Sequence, residues 1–117
     1  MPFKFENLEV WQLSMEHIDL IYELAEKLPR NEDFNLKSQI TRAATSIALN
    51  IAEGSTGQTN PEFGRFLGIA LRSNIEVVSC LYLAQRRGYI AKDRFEKIYS
   101  MCEEILVMIN SLRKSLK

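Results

Sequence analysis

Arg42, Ser46, Asn50 and Glu53 follow one another at steps of four, four and three residues. That spacing puts a guanidinium, a hydroxyl, an amide and a carboxylate on one face of a helix. Ser73 and Glu76 form a second pair of the same kind, three residues apart. These groups can exchange hydrogen bonds, and an arginine fork can meet a carboxylate bidentately. They include no thiol or hydroxyl with a base beside it, and no metal-ligand set. Three readings are open: a solvated face, a polar network that braces helices or subunits, and a catalytic surface. Glu53 adds a constraint. It stands in the last turn of its helix, where the macrodipole disfavours an anion, so it calls for a base such as Arg42.

The other chemistry-bearing residues are few. A di-iron site in a helical bundle takes two glutamates and two Glu-x-x-His motifs. The chain has one histidine, His17, and no glutamate three residues before it. His17 is placed at the edge of the first helix, and no metal is expected. Cys80 and Cys102 lie in apolar runs with no base close in sequence and away from any helix N-terminus that would activate them. "STG" (55–57) follows a helix and lacks the strand and the lysine of a phosphate-binding loop. The expectation is a protein that is not an enzyme and holds no cofactor.

The elements that position these residues are helical. Three prolines and five glycines in 117 residues are too few for a turn-rich β chain, and the length suits one domain over 1–117. The first helix is predicted from about Asn7 to Leu28, closed by Pro29. The second runs from an Asn35 N-cap to about Glu53, with Gly54 as its left-handed C′ residue. The third opens on "NPEF" with Asn60 as N-cap and closes at Gly88. The fourth starts near Ala91 to Asp93 and runs almost to the C-terminus. Short connections between long helices make antiparallel neighbours, hence an up-down-up-down bundle.

Charge is zero overall but uneven. Residues 1–34 carry three bases and eight acids, while residues 35–117 carry twelve bases and seven acids. Zero net charge argues against indiscriminate nucleic-acid binding. Two unpaired cysteines suit a reducing, cytoplasmic setting. No leader pattern opens the chain, and no uninterrupted apolar run of about 20 residues predicts a membrane span. The first helix carries two apolar stripes, Trp11, Ile18, Ile21, Ala25 and Leu28 beside Val10, Leu13, Leu20 and Leu24. One stripe suffices for a bundle core. The second is expected to be covered by another subunit.

"LEVWQ" (8–12), "SQITRAATSIALNIAEG" (38–54), "FGRFLGIALRSNIEV" (63–77) and "RGYI" (87–90) occur in that order. Together they resemble the 23S rRNA intervening-sequence protein family, the bacterial four helix bundle proteins, over almost the whole chain. The resemblance implies an all-α, left-handed antiparallel four-helix bundle that assembles as a ring-like homopentamer, with no catalytic activity. Some members are encoded inside intervening sequences of 23S rRNA genes. A related branch serves retroelements as accessory proteins that bind nucleic acid and a reverse transcriptase. The chain departs from the family pattern at Thr41 before Arg42, at Gln58, and in "ALRS" (70–73). Each departure removes or displaces a base. Two functional expectations follow. The first is a non-enzymatic, self-associating scaffold whose structural polar network is Arg42, Ser46, Asn50, Glu53, Ser73 and Glu76. That scaffold would serve RNA or a protein partner; the alternative is an accessory protein binding RNA or other nucleic acid through a basic face of the oligomer, with Arg65, Arg72, Arg86, Arg87, Lys114 and Lys117 as its candidate contacts.

Overall fold

The computed structural model describes residues 2–57 and 59–117; Gln58 lies outside the described residues. Four helices carry the fold: α1 (Glu9–Glu26), α2 (Leu36–Gly54), α3 (Asn60–Arg86) and α4 (Lys92–Ser115). Short 3-10 turns at Lys4–Asn7 and Arg30–Glu32 precede α1 and α2, and the described residues contain no strand. Each helix packs closely along its two neighbours in the cyclic order α1, α2, α3, α4, and among the described residues no backbone pair comes within 8 Å across either diagonal. The result is an all-α four-helix bundle of 43 × 24 × 23 Å.

Side-chain pairs fix the directions. Ser73 Oγ reaches Ser46 Oγ, Asn74 reaches the Cys102 carbonyl, and Arg94 pairs with Glu23 while His17 meets Cys102. The last two pairs run α1 against α4. Gly54 meets Phe63 and Phe66, and Tyr82 meets Phe95, so α2 runs against α3 and α3 against α4. Three antiparallel neighbours leave α1 antiparallel to α2, the up-down-up-down order.

The core follows the helical periodicity. Ile21, Ile40, Ile47, Ile51, Leu67, Leu81, Ile98, Ile105 and Ile109 are among its fully buried side chains. The ends of the elements differ from the sequence reading in detail. Thr59, not Asn60, caps α3: its hydroxyl accepts from the Glu62 N–H at 3.1 Å, and Asn60 instead donates to the Leu116 carbonyl. Gly88 does take the left-handed conformation (φ 74°), and the Gly88 and Tyr89 N–H groups bond the Gln85 and Ala84 carbonyls in a Schellman closure. Gly54 does not. It lies within α2, and positive φ is confined to Gly57 and Gly88 among the glycines. Gly54 is small because α3 passes over it. A Cβ there would stand 2.7 Å from Phe66 Cβ and 2.9 Å from Phe63 Cδ1. Those contacts help make α2 and α3 the most extensive helix pair of the fold.

The two stripes of α1 are both occupied within the single chain. Val10, Ile21, Leu24, Ala25 and Leu28 are buried, and Trp11, Leu13, Ile18 and Leu20 are half-buried against the core. Phe5 from the preceding turn packs edge-on against Trp11 at 4.8 Å. α1 therefore lies deep, and its second stripe does not call for another subunit. Exposed apolar side chains are concentrated on the other three helices: Leu49 on α2, Ile75, Tyr82 and Leu83 on α3, and Leu106 and Val107 on α4. One correction concerns α3. By length and composition it is apolar enough to cross a membrane, because two charges within a long apolar window do not disqualify it. In the bundle its Phe63–Ala84 face is buried between α2 and α4.

Candidate functional site

Helices α2 and α3 frame a groove of about 450 Å³ lined by Arg42, Ser46, Leu49, Asn50, Glu53, Ser73 and Glu76. All six residues of the expected polar network lie on it. Three of them are joined. Asn50 Nδ2 donates to the Ser46 carbonyl at 2.8 Å and to Ser46 Oγ at 2.9 Å, and Ser73 Oγ donates to Ser46 Oγ at 2.9 Å. This half-buried chain ties α2 to α3 one face away from the apolar core. The three charged members behave differently. Arg42, Glu53 and Glu76 are exposed, and the ion pairs among the described residues are Lys37–Asp33 and Arg94–Glu23. The base that Glu53 calls for is therefore not supplied by Arg42. Eleven residues along one helix separate these two by about 16 Å, too far for contact.

A second polar cluster is one that sequence reasoning missed. His17 on α1 is fully buried rather than at the bundle's edge, and its Nε2 lies 3.4 Å from Cys102 Sγ on α4. Asn74 on α3 donates to the Cys102 carbonyl at 2.9 Å. His17 Nδ1 and Asn74 Oδ1 are buried without a hydrogen-bond partner. A thiol beside an imidazole is the outline of a nucleophile, but the electrostatics run the other way. Burial pushes the Cys102 thiol up to about 12 and the His17 imidazole down to about 4. Both are neutral near pH 7, whereas thiolate chemistry needs the charged pair. Cys80, also buried, is pushed up to about 11 by burial and then by Glu76. The signal for the cluster was present in the sequence: His17 sits seven residues after Val10 and four before Ile21, on the buried face of α1. No group of three or more His, Cys, Asp or Glu positioned for a metal occurs among the described residues.

The proposed basic residues split. Asn60 bonds the Leu116 carbonyl, and Gly68 lies beside the Arg113 guanidinium. Arg65, Lys114 and Lys117 therefore share one end of the bundle with Arg113, which the sequence reading omitted. Arg65 stacks on Phe66, 4.7 Å from the ring centroid. Arg86 and Arg87 lie at the far end of α3, about 30 Å away at 1.5 Å per residue. Arg72 is exposed between them. The six residues do not form one patch.

A family model described as 23S rRNA-intervening sequence protein matches residues 6–111. The chain belongs to that family. A solved structure of a protein of unknown function from the S23 ribosomal protein family of Bacteroides thetaiotaomicron superposes with a TM-score of 0.83. It is 32% identical, and the match covers 90% of this chain and 98% of that one. No curated protein matches the chain. The family assignment spans all four helices and both polar clusters, and the function of this structural relative is unknown.

Proposed function

We propose that this chain is a non-enzymatic bundle that works by self-association, as a cytoplasmic scaffold closed into a ring of five subunits. One observation carries the reading. Large apolar side chains are left exposed on α3 and α4, with Ile75 at 59% exposure and Tyr82 on α3, and Leu106 and Val107, the latter at 66%, on α4. Tyr82 packs against Phe95 of α4, and Phe95 stacks on Tyr99, so the exposed tyrosine ring bridges the two helices. Apolar surface left exposed in this quantity marks interaction sites. A repeated rotation between copies closes a ring and leaves no free apolar edge. The number five comes from the family resemblance. The two unpaired thiols suit a reducing compartment. Light scattering at micromolar concentration tests the reading. A mass five times the 13.5 kDa of the chain is expected. A monomer mass overturns self-association, and a dimer or tetramer overturns the ring of five.

A second reading is favoured by the basic end. Arg65, Arg113, Lys114 and Lys117 gather where α3 begins and α4 ends, and a ring would repeat that cluster around one rim. RNA bound there is held mainly through its phosphates, so affinity falls steeply as salt rises. Filter binding across a salt series, with and without these four bases, separates this reading from a purely protein scaffold.

A further inference from the structure

Phe34 is 99% exposed and touches nothing of its own chain. It stands just before α2, next to Asp33. At the same end of the bundle, between α1 and α4, lies an apolar cavity of about 170 Å³ walled by Leu20, Leu24, Ile90 and Ile98, with Lys27 and Arg94 at its edge. An apolar cavity of about 150 Å³ is enough to take benzene, so a phenyl ring fits. Lys27 at the cavity edge is a base outside the Arg94–Glu23 and Lys37–Asp33 ion pairs.

We infer that the outer face of α2 docks on the outer face of α4 of a second copy, with Phe34 seated in the Leu20–Ile98 cavity. This rests on the self-association proposed above. α2 and α4 are diagonal in the bundle, so each copy offers both faces at once, as a head-to-tail ring contact demands. They also run in the same direction. Rotation about an axis parallel to the helices carries every residue to a neighbour at its own height, and heights can be read from the side-chain pairs. Ser46 is level with Ser73, and Asn74 with Cys102. Residue 46 of α2 is therefore level with residues 103–104 of α4.

At that register the two faces match at an apolar anchor, an apolar contact and a charge pair, with exposed Lys97 also near the level of Arg42. Twelve residues before Ser46, Phe34 falls level with residues 91–92, at the cavity. Three residues after Ser46, Leu49, 62% exposed, falls level with Leu106 and Val107. Arg42 falls level with residues 99–100, about one turn from Glu103. Glu53 comes within one turn of Arg113 and Lys114. Arg42 and Glu53, which make no ion pair among the described residues, thus come near groups of opposite charge, Arg42 near Glu103 and Glu53 near Arg113 and Lys114. This supplies the partner that Glu53 lacks.

Sedimentation equilibrium on the full chain and its variants tests the contact. Phe34→Ala is expected to raise the dissociation concentration by roughly tenfold or more, as for an aromatic anchor lost from a pocket. Glu53→Lys and Lys114→Glu are each expected to weaken association. The double variant, which restores the pair in reversed sense, is expected to recover it, an outcome that damage to the fold would not produce. A wild-type chain that remains monomeric overturns both the self-association and this contact. A wild-type oligomer whose association is unchanged by Phe34→Ala, or not recovered in the double variant, overturns the α2–α4 contact alone.

Discussion

Replacing Gly54 by alanine sets two known effects against each other. Within a helix the change gains up to about 1 kcal/mol in intrinsic propensity. It also shrinks the freedom of the unfolded chain, which by itself stabilises. Against this, the new methyl would sit 2.7 Å from Phe66 Cβ and 2.9 Å from Phe63 Cδ1, where carbon atoms prefer about 3.5–4.0 Å. Phe63 can turn its ring. Phe66 Cβ is bonded to the α3 backbone and cannot turn away, so the helices must part where they are most closely packed. Forcing an extra methyl into a packed contact costs about 1–3 kcal/mol. Because Phe66 Cβ cannot yield, the steric cost lies at the upper part of that range, leaving a net loss of up to about 2 kcal/mol, or a melting temperature lower by up to roughly 8 °C for a domain of this size. Gly64→Ala is the control. It is also a helix-interior glycine, and a Cβ there meets nothing within 4 Å, so it should stabilise by about 0.5–1 kcal/mol. Thermal unfolding of both variants at one protein concentration keeps association from entering the comparison. If Gly54→Ala melts at or above the wild type, close approach is not what keeps that residue small.

Stability should fall on acidification through His17. Its imidazole is buried neutral, with its pKa lowered from 6.5 to about 4 by desolvation. The unfolded state therefore takes up the proton first: stability is full above about pH 6.5, drops as the pH falls towards 4, and levels off below. At 1.36 kcal/mol per unit this amounts to about 3 kcal/mol, and urea midpoints at pH 7 and 4.5 should differ much less in His17→Met. Gly88→Ala forces a side chain into φ 74° and should cost about 1–2 kcal/mol. Gly88→Asn should lose less, since asparagine tolerates that conformation. If single-stranded RNA binds the basic end, each of Arg65, Arg113, Lys114 and Lys117 replaced by glutamine should flatten the log–log salt slope by roughly 0.7. The paired change Arg86→Gln and Arg87→Gln, at the far end of α3, should leave that slope unaltered.

Much of the architecture could be read before any coordinate. Ile40, Ile47 and Ile51 at helical spacing fix which side of α2 is buried, and Pro29 and Gly88 punctuate the helices beside them, because these signals depend only on local backbone geometry. Ser46 and Asn50 as bonding neighbours follow from the same periodicity. What periodicity cannot tell is which element covers a face, and how closely. It placed two stripes on α1 without showing that one chain buries both. It left His17 at the edge when α4 brings Cys102 against it. It read Gly54 as a turn residue, when the reason for a missing side chain is the α3 phenylalanine Phe66, twelve residues on. The charges of Arg42 and Glu53 were legible as a stripe, but only packing could decide that they form no ion pair with each other or with another of the described residues. Periodicity is set by the helix itself, whereas burial, contact and pairing depend on distances between helices that are not neighbours along the backbone.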